Sequence, residues 1–187
     1  MGERRPAAPR APMSEILPGV VRQNGYIVRD LDAAIASWCA VGVGPWFTMR
    51  DLRLGDFRYR GEPSEPVQSI AWSNSGTLQI ELVQLLNDAP SAYKEFLDAG
   101  GEGFHHLAWW AEDFEGAMAR AKDTGWTVVQ DGGEGGTRFA YFDAGGVTST
   151  VIELSELTEG TRAFNDMVAA AAADWDGVTD PVRPVVF

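Results

Sequence analysis

The chain contains one structural unit written twice. Gln-Asn-Gly-Tyr-Ile-Val-Arg-Asp-Leu-Asp-Ala-Ala-Ile-Ala begins at Gln23, and His-Leu-Ala-Trp-Trp-Ala-Glu-Asp-Phe-Glu-Gly-Ala-Met-Ala begins at His106. At one constant offset Asp30 matches Asp113, Ala34 matches Ala117, Ala36 matches Ala119 and Gly42 matches Gly125. Further on, Leu78 to Leu85 resembles Thr150 to Leu157, each with Ile-Glu-Leu, and Ser69 to Gly76 matches Arg138 to Gly145 in residue type. In the first copy a strand-like run, Val21 to Val28, leads to Asp30, whose side chain can cap a helix running to Ala40. Gly42 and Gly44 stop that helix. Strand patterns follow at Trp46 to Met49, near Phe57 to Arg60, at Val67 to Ser73 and at Leu78 to Leu85. A βαβββ unit of this kind leaves a sheet face uncovered, and two of them can bury a shared core. The predicted class is α+β.

The rest of the chain is organised around the pair. Residues 1–17, punctuated by Pro6, Pro9 and Pro12, read as a flexible leader. Residues 18–90 form the first unit, 91–101 a linker helix, 102–157 the second unit, and 158–187 a C-terminal helix and an extended tail. The leader lacks the apolar stretch of a secretory signal, and no run is long enough to span a membrane, so a cytoplasmic protein is expected. The net charge of −12 argues against a nucleic-acid partner, which wants a basic face. A single cysteine, Cys39, excludes an internal disulfide framework.

Four polar positions are equivalent in the two copies: Gln23 and His106 on the first strands, Glu81 and Glu153 on the last. Each Glu lies between Ile and Leu, so it points away from both. One such Glu reads as a residue facing water. Two at matching places in a duplicated unit read equally well as a pair facing a common cavity. The only other histidine, His105, adjoins His106, and strand alternation puts the two on opposite faces. A site of two histidines and one carboxylate is therefore not expected, and His105 reads as structural.

Gly25 to Leu31 (Gly-Tyr-Ile-Val-Arg-Asp-Leu), Gly101 to Ala108 (Gly-Glu-Gly-Phe-His-His-Leu-Ala), Ser91 to Leu97 and the two Ile-Glu-Leu strands carry a resemblance. The stretch from Val20 to Leu157 resembles the vicinal-oxygen-chelate superfamily, and within it the glyoxalase I and methylmalonyl-CoA epimerase-like branch. The resemblance implies a U-shaped mixed sheet around a central cavity, with one divalent metal held by Gln23, Glu81, His106 and Glu153. It also implies that Glu153 acts as ligand and base, with Glu81 beside it. An imidazole, two carboxylates and an amide oxygen suit Mg, Mn, Co, Ni or Zn.

The expected activity is that of an isomerase or lyase of the glyoxalase type, promoting proton transfer next to a carbonyl through a metal-bound enolate. The alternative is a metal-free binding or resistance protein that sequesters an aromatic compound. Epimerisation needs a second base; the strand at Val67 to Trp72 offers no carboxylate, and Glu65 just before it is a weak substitute. Seven tryptophans suggest an apolar or aromatic small-molecule substrate, with Trp110, Trp72, Tyr141 and Trp46 as candidate contacts. Any single tryptophan reads first as packing in the core or in an expected homodimer; it is the set together that suggests a substrate. Arg138 could pair with a substrate carboxylate or with a structural acid. Gly132, Gly133, Gly135 and Gly136 lack the lysine of a phosphate loop and read as a lid or as turns.

Overall fold

The computed structural model describes residues 16–133, 138–145 and 151–185. The first unit comprises β1 (Gln23–Ile27), α1 (Leu31–Ala40), β2 (Trp46–Arg53), the two-residue strands β3 (Arg58–Tyr59) and β4 (Glu62–Pro63), β5 (Val67–Ser75) and β6 (Leu78–Leu85). After α2 (Ala92–Asp98) the pattern repeats as β7 (Gly103–Ala111), α3 (Phe114–Asp123), β8 (Thr127–Gly132), β9 (Phe139–Asp143) and β10 (Val151–Glu156). The chain closes with α4 (Glu159–Ala173) and β11 (Val182–Pro184). The fold is thus α+β, with two βαβββ units and a short hairpin inserted in the first.

The matched aspartates do matching work. Asp30 accepts a hydrogen bond from the Ala33 amide at the start of α1, and Asp113 accepts one from the Gly116 amide at the start of α3. Each satisfies a backbone donor that the first helical turn leaves free.

All strands among the described residues belong to one sheet in the order β11-β2-β5-β6-β1-β7-β10-β9-β8-β3-β4. In each half the first strand runs parallel to the last, β1 with β6 and β7 with β10. The halves join through antiparallel pairing of β1 with β7, so an approximate two-fold axis passes between them. The inserted hairpin crosses between units, because β3 pairs with β8.

One face of this sheet carries α1 and α3. Leu31 and Ile35 of α1 pack on Trp46, Ala71, Ile80 and Leu82. Phe114, Ala117 and Met118 of α3 pack on Phe142, Ile152 and Leu154. The Ile and Leu of both Ile-Glu-Leu strands are therefore spent on the helix side, which turns Glu81 and Glu153 to the other face. That face also holds an apolar cluster that includes Ile27, Ile70, Val83, Tyr93 and Tyr141.

The ends depart from expectation. Residues 1–15 of the expected leader lie outside the described residues, but Ile16 and Leu17 are buried in the cluster with Phe114 and Trp126. Apolar side chains at that point leave water by covering the α3 side. The tail is extended, but it is also sheet: Val182 pairs in parallel with Trp46 of β2, which makes β11 the edge strand. No helix among the described residues is long and apolar enough to cross a membrane.

Asp30→Ala and Asp113→Ala should each lower stability by about 1 kcal/mol, and the double variant by roughly the sum, because the caps lie in separate halves. Urea denaturation of the three variants measures this.

Candidate metal centre

Pairing across β1 and β7 sets two adjacent rows of side chains on the face opposite α1 and α3. In one row Trp72, Glu81, Gly25, His106 and Val151 occupy successive strands. In the next stand Gln79, Gln23, Ala108, Glu153 and Tyr141. Small residues alternate with the four polar ones, Gly25 between Glu81 and His106, Ala108 between Gln23 and Glu153. The need for Gly25 is steric: a Cβ there would lie 1.8 Å from His106 Cε1 and 1.9 Å from Nε2. The imidazole lies across Gly25 and so reaches toward the carboxylate on the far strand.

Three groups converge as a result. His106 Nε2 is 3.2 Å from Glu81 Oε2 and 2.9 Å from Glu153 Oε2. All three residues are buried, His106 completely. Neither His106 Nε2 nor Glu153 Oε2 makes a hydrogen bond, despite their closeness. The remaining oxygens are tied back: Trp72 Nε1 donates to Glu81 Oε1 at 2.9 Å, and Ser155 Oγ donates to Glu153 Oε1 at 2.6 Å. Each carboxylate therefore has one oxygen anchored and one turned to the common point.

Gln23 is anchored in the same manner. Its Nε2 donates to Gln79 Oε1 at 2.8 Å, and Gln79 Nε2 donates to Asn165 Oδ1 at 3.1 Å. Only the Gln23 carbonyl oxygen remains as a donor of electrons.

The electrostatics favour a cation here. Burial by itself disfavours a charged His106, but the negative charges of Glu153 and Glu81 outweigh it and push its pKa up to about 9. Burial raises the Glu81 carboxyl above the usual carboxylate range, against the pull of His106. A nitrogen and two carboxylate oxygens meeting without hydrogen bonds between them form a donor set that fits a small divalent ion, so Glu81, His106 and Glu153 could hold one.

The carboxylates border a cavity of about 880 Å³. Its walls include three of the candidate contacts, Trp72, Trp110 and Tyr141, together with Met49, Leu52 and Ile70. Two expected contacts fall elsewhere. Trp46 is fully buried on the helix side, where its Nε1 donates to the Val43 carbonyl at 3.0 Å. Arg138 forms a two-pronged pair with Glu156, at 2.9 and 2.7 Å, also bonds Glu115, and lies over the Phe114 ring. Its charge is already matched, which selects the structural acid over a substrate carboxylate. Glu65 is exposed and lies outside the cavity wall. Of the expected glycine loop, Gly132 ends β8, Gly133 donates its amide to the Gly55 carbonyl at 3.3 Å, and Gly135 and Gly136 lie outside the described residues.

His105 corrects the alternation argument. Gly25 pairs with His106 but Tyr26 pairs with Phe104, so His105 is the extra residue of a β-bulge. A bulge interrupts alternation, and His105 Nδ1 comes to 3.1 Å from His106 Nδ1. Burial, and then the neighbouring His106, hold the His105 pKa down at about 3.

Other site residues have weaker sequence signals. Gln79 and Ser155 lie two positions from Glu81 and Glu153, so strand periodicity could have found them. Thr161, Phe164 and Asn165 of α4 also line the cavity. They sit outside the repeat, so the duplication does not mark them.

The glyoxalase/bleomycin resistance protein/dioxygenase superfamily model matches residues 22–141, a span that takes in Gln23, Glu81 and His106 and ends before Glu153. No curated protein matches the sequence. Among solved structures, a hypothetical protein from Bacillus halodurans is similar with a TM-score of 0.56 at 19% identity, over 75% of this chain and 95% of that one. Methylmalonyl-CoA epimerase from Mycobacterium tuberculosis is similar with a TM-score of 0.54 at 21% identity, over 79% of this chain and 93% of that one. At these identities the likeness is one of fold.

Gly25→Ala should destabilise the protein by about 1–3 kcal/mol, because His106 must leave its place over the strand. Thermal and urea unfolding measure the loss. Unfolding identical to wild type would contradict the steric role of Gly25.

Proposed function

The chain belongs to the glyoxalase/bleomycin resistance protein/dioxygenase superfamily, and from that premise we propose that it is a metal-dependent isomerase or lyase acting on a small, largely apolar carbonyl compound. The observation that carries this reading is the buried convergence of Glu81, His106 and Glu153, with His106 Nε2 and Glu153 Oε2 left without hydrogen bonds. Gln23 would add its carbonyl oxygen as the fourth donor. A divalent ion held there would act as a Lewis acid, drawing electrons from a carbonyl oxygen and acidifying the adjacent C–H bond.

The protein's own groups supply the rest. Glu153 Oε2 is the base: Ser155 holds the other oxygen, so Oε2 stays aimed at the site. It takes a proton from the carbon beside the carbonyl, while the C–H electron pair moves into the C–C–O unit. Return of that proton to a neighbouring atom completes an isomerisation with no co-reactant. Met49, Leu52, Ile70, Phe139 and Phe164 give the body of the substrate an apolar bed and exclude water.

Epimerisation fits less well, because it needs a second base on the opposite face. Besides Glu81 and Glu153, the only carboxylate in the cavity wall among the described residues is Glu156, which is paired with Arg138. On β5 the wall offers Gln68, an amide that cannot take the proton. The aromatic walls support a second reading, a binding protein that sequesters an aromatic compound without turning it over.

Elemental mass spectrometry of protein purified without chelator or a His tag should find about one divalent ion per chain, and His106→Ala should lose it. At a hundredfold excess over the dissociation constant, the ion should stabilise the fold by about 2.7 kcal/mol. Hydroxy-carbonyl compounds incubated with the enzyme in heavy water should exchange a carbon-bound proton, read by NMR. Glu153→Gln should slow that exchange by about 10²–10⁴-fold. No ion after incubation with Mg, Mn, Co, Ni and Zn would sink the enzyme reading and leave the binding protein.

A further inference from the structure

The adjacent histidines meet nitrogen to nitrogen, His105 Nδ1 facing His106 Nδ1 at 3.1 Å with both rings buried. That separation is a hydrogen bond with room for one proton. Two protons would set donor against donor, and none would set lone pair against lone pair. The other nitrogen of His106, Nε2, looks at Glu81 and Glu153 and bonds neither. A ring that offers Nε2 as a lone pair must carry its proton on Nδ1. His105 then has to accept at Nδ1 and keep its own proton on Nε2.

We propose that His105 is a positioning residue that fixes the tautomer and ring plane of His106, and so presents His106 Nε2 to the cation. The proposal rests on the metal reading above. Its physical basis is that an imidazole with a committed partner on one nitrogen loses the freedom to rotate or to move its proton. The β-bulge makes the contact possible, since regular alternation would send the two rings to opposite faces.

His105 is itself held on several sides. Its ring stands edge-on to Phe96 at 5.1 Å between centroids, with Tyr141 at 5.8 Å and Tyr93 at 6.2 Å. Tyr93 and Phe96 belong to α2, the helix between the two units. This gives α2 a part in the site although it contributes no ligand: it fixes the acceptor that fixes His106.

Zinc is the probe, with its affinity measured by competition against a chelator. His105→Phe keeps the aromatic packing and removes the acceptor; it should weaken zinc binding by about 10–100-fold. His105→Gln, whose amide oxygen can accept, should recover most of that loss. Nitrogen-15 NMR of the imidazoles in wild type should show His105 protonated on Nε2 and free on Nδ1, with and without zinc. Wild-type zinc affinity in His105→Phe, or a proton on His105 Nδ1, overturns the proposal. Should His105→Phe fail to fold, the NMR assignment and His105→Gln decide it. Wild-type protein that takes up no zinc would sink the metal reading by itself, while the NMR spectrum still reports whether His105 accepts from His106.

Discussion

Antiparallel pairing of Gln23–Ile27 with Gly103–Ala111 joins two open half-sheets that each carry half of a site. Neither unit alone brings Glu81, His106 and Glu153 together; the three meet only across the junction. Pairing at this register sets Gln23 opposite Ala108 and Gly25 opposite His106, so large polar side chains alternate with small residues across the junction. A slip of one residue would turn every one of these side chains to the helix face. The register is held from the other side too, because the same slip would expose the apolar residues that α1 and α3 cover.

The cost of this arrangement is electrostatic. Two carboxylates buried around one imidazole lose their hydration, and such losses run to several kcal/mol per ion. The protein offsets part of this with Trp72 and Ser155, each satisfying one oxygen and leaving the other directed inward. What remains is a demand for positive charge at one point. The same demand is seen in His106, whose pKa the two carboxylates drive upward against its burial. The tendency that raises that pKa is the one that would draw a divalent ion.

Among the described residues, the cavity's two unpaired acids, Glu81 and Glu153, lie together at the junction of the two units, while the wall away from them carries Met49, Leu52, Ile70 and Phe164 with the amide of Gln68 and the guanidinium of Arg53. Phe164 of α4 stands edge-on to Trp72 at 5.4 Å, and Asn165 ends the chain of amides that begins at Gln23. The last helix, outside the duplicated units, thus finishes a site that the duplication began. Its anchor is local: Thr158 and Thr161 cap each other at its first turn.

Much of this was legible in the residues because the relevant physics is short-range. Asp30 and Asp113 declare helix starts through their capping geometry, and Glu81 and Glu153 declare their face through strand periodicity. Duplication then selects which of many polar residues belong together. The sequence could not show that His105 sits in a bulge, since an extra residue in one strand is defined only against its partner. Nor could it show that Trp46 faces α1, that Arg138 spends its charge on Glu156 and Glu115, or that α4 walls the cavity. Strand, cap and repeat are properties of neighbours along the chain, whereas register, ion pairing and cavity walls are set by which distant surfaces must be buried against each other, and only the folded sheet decides that.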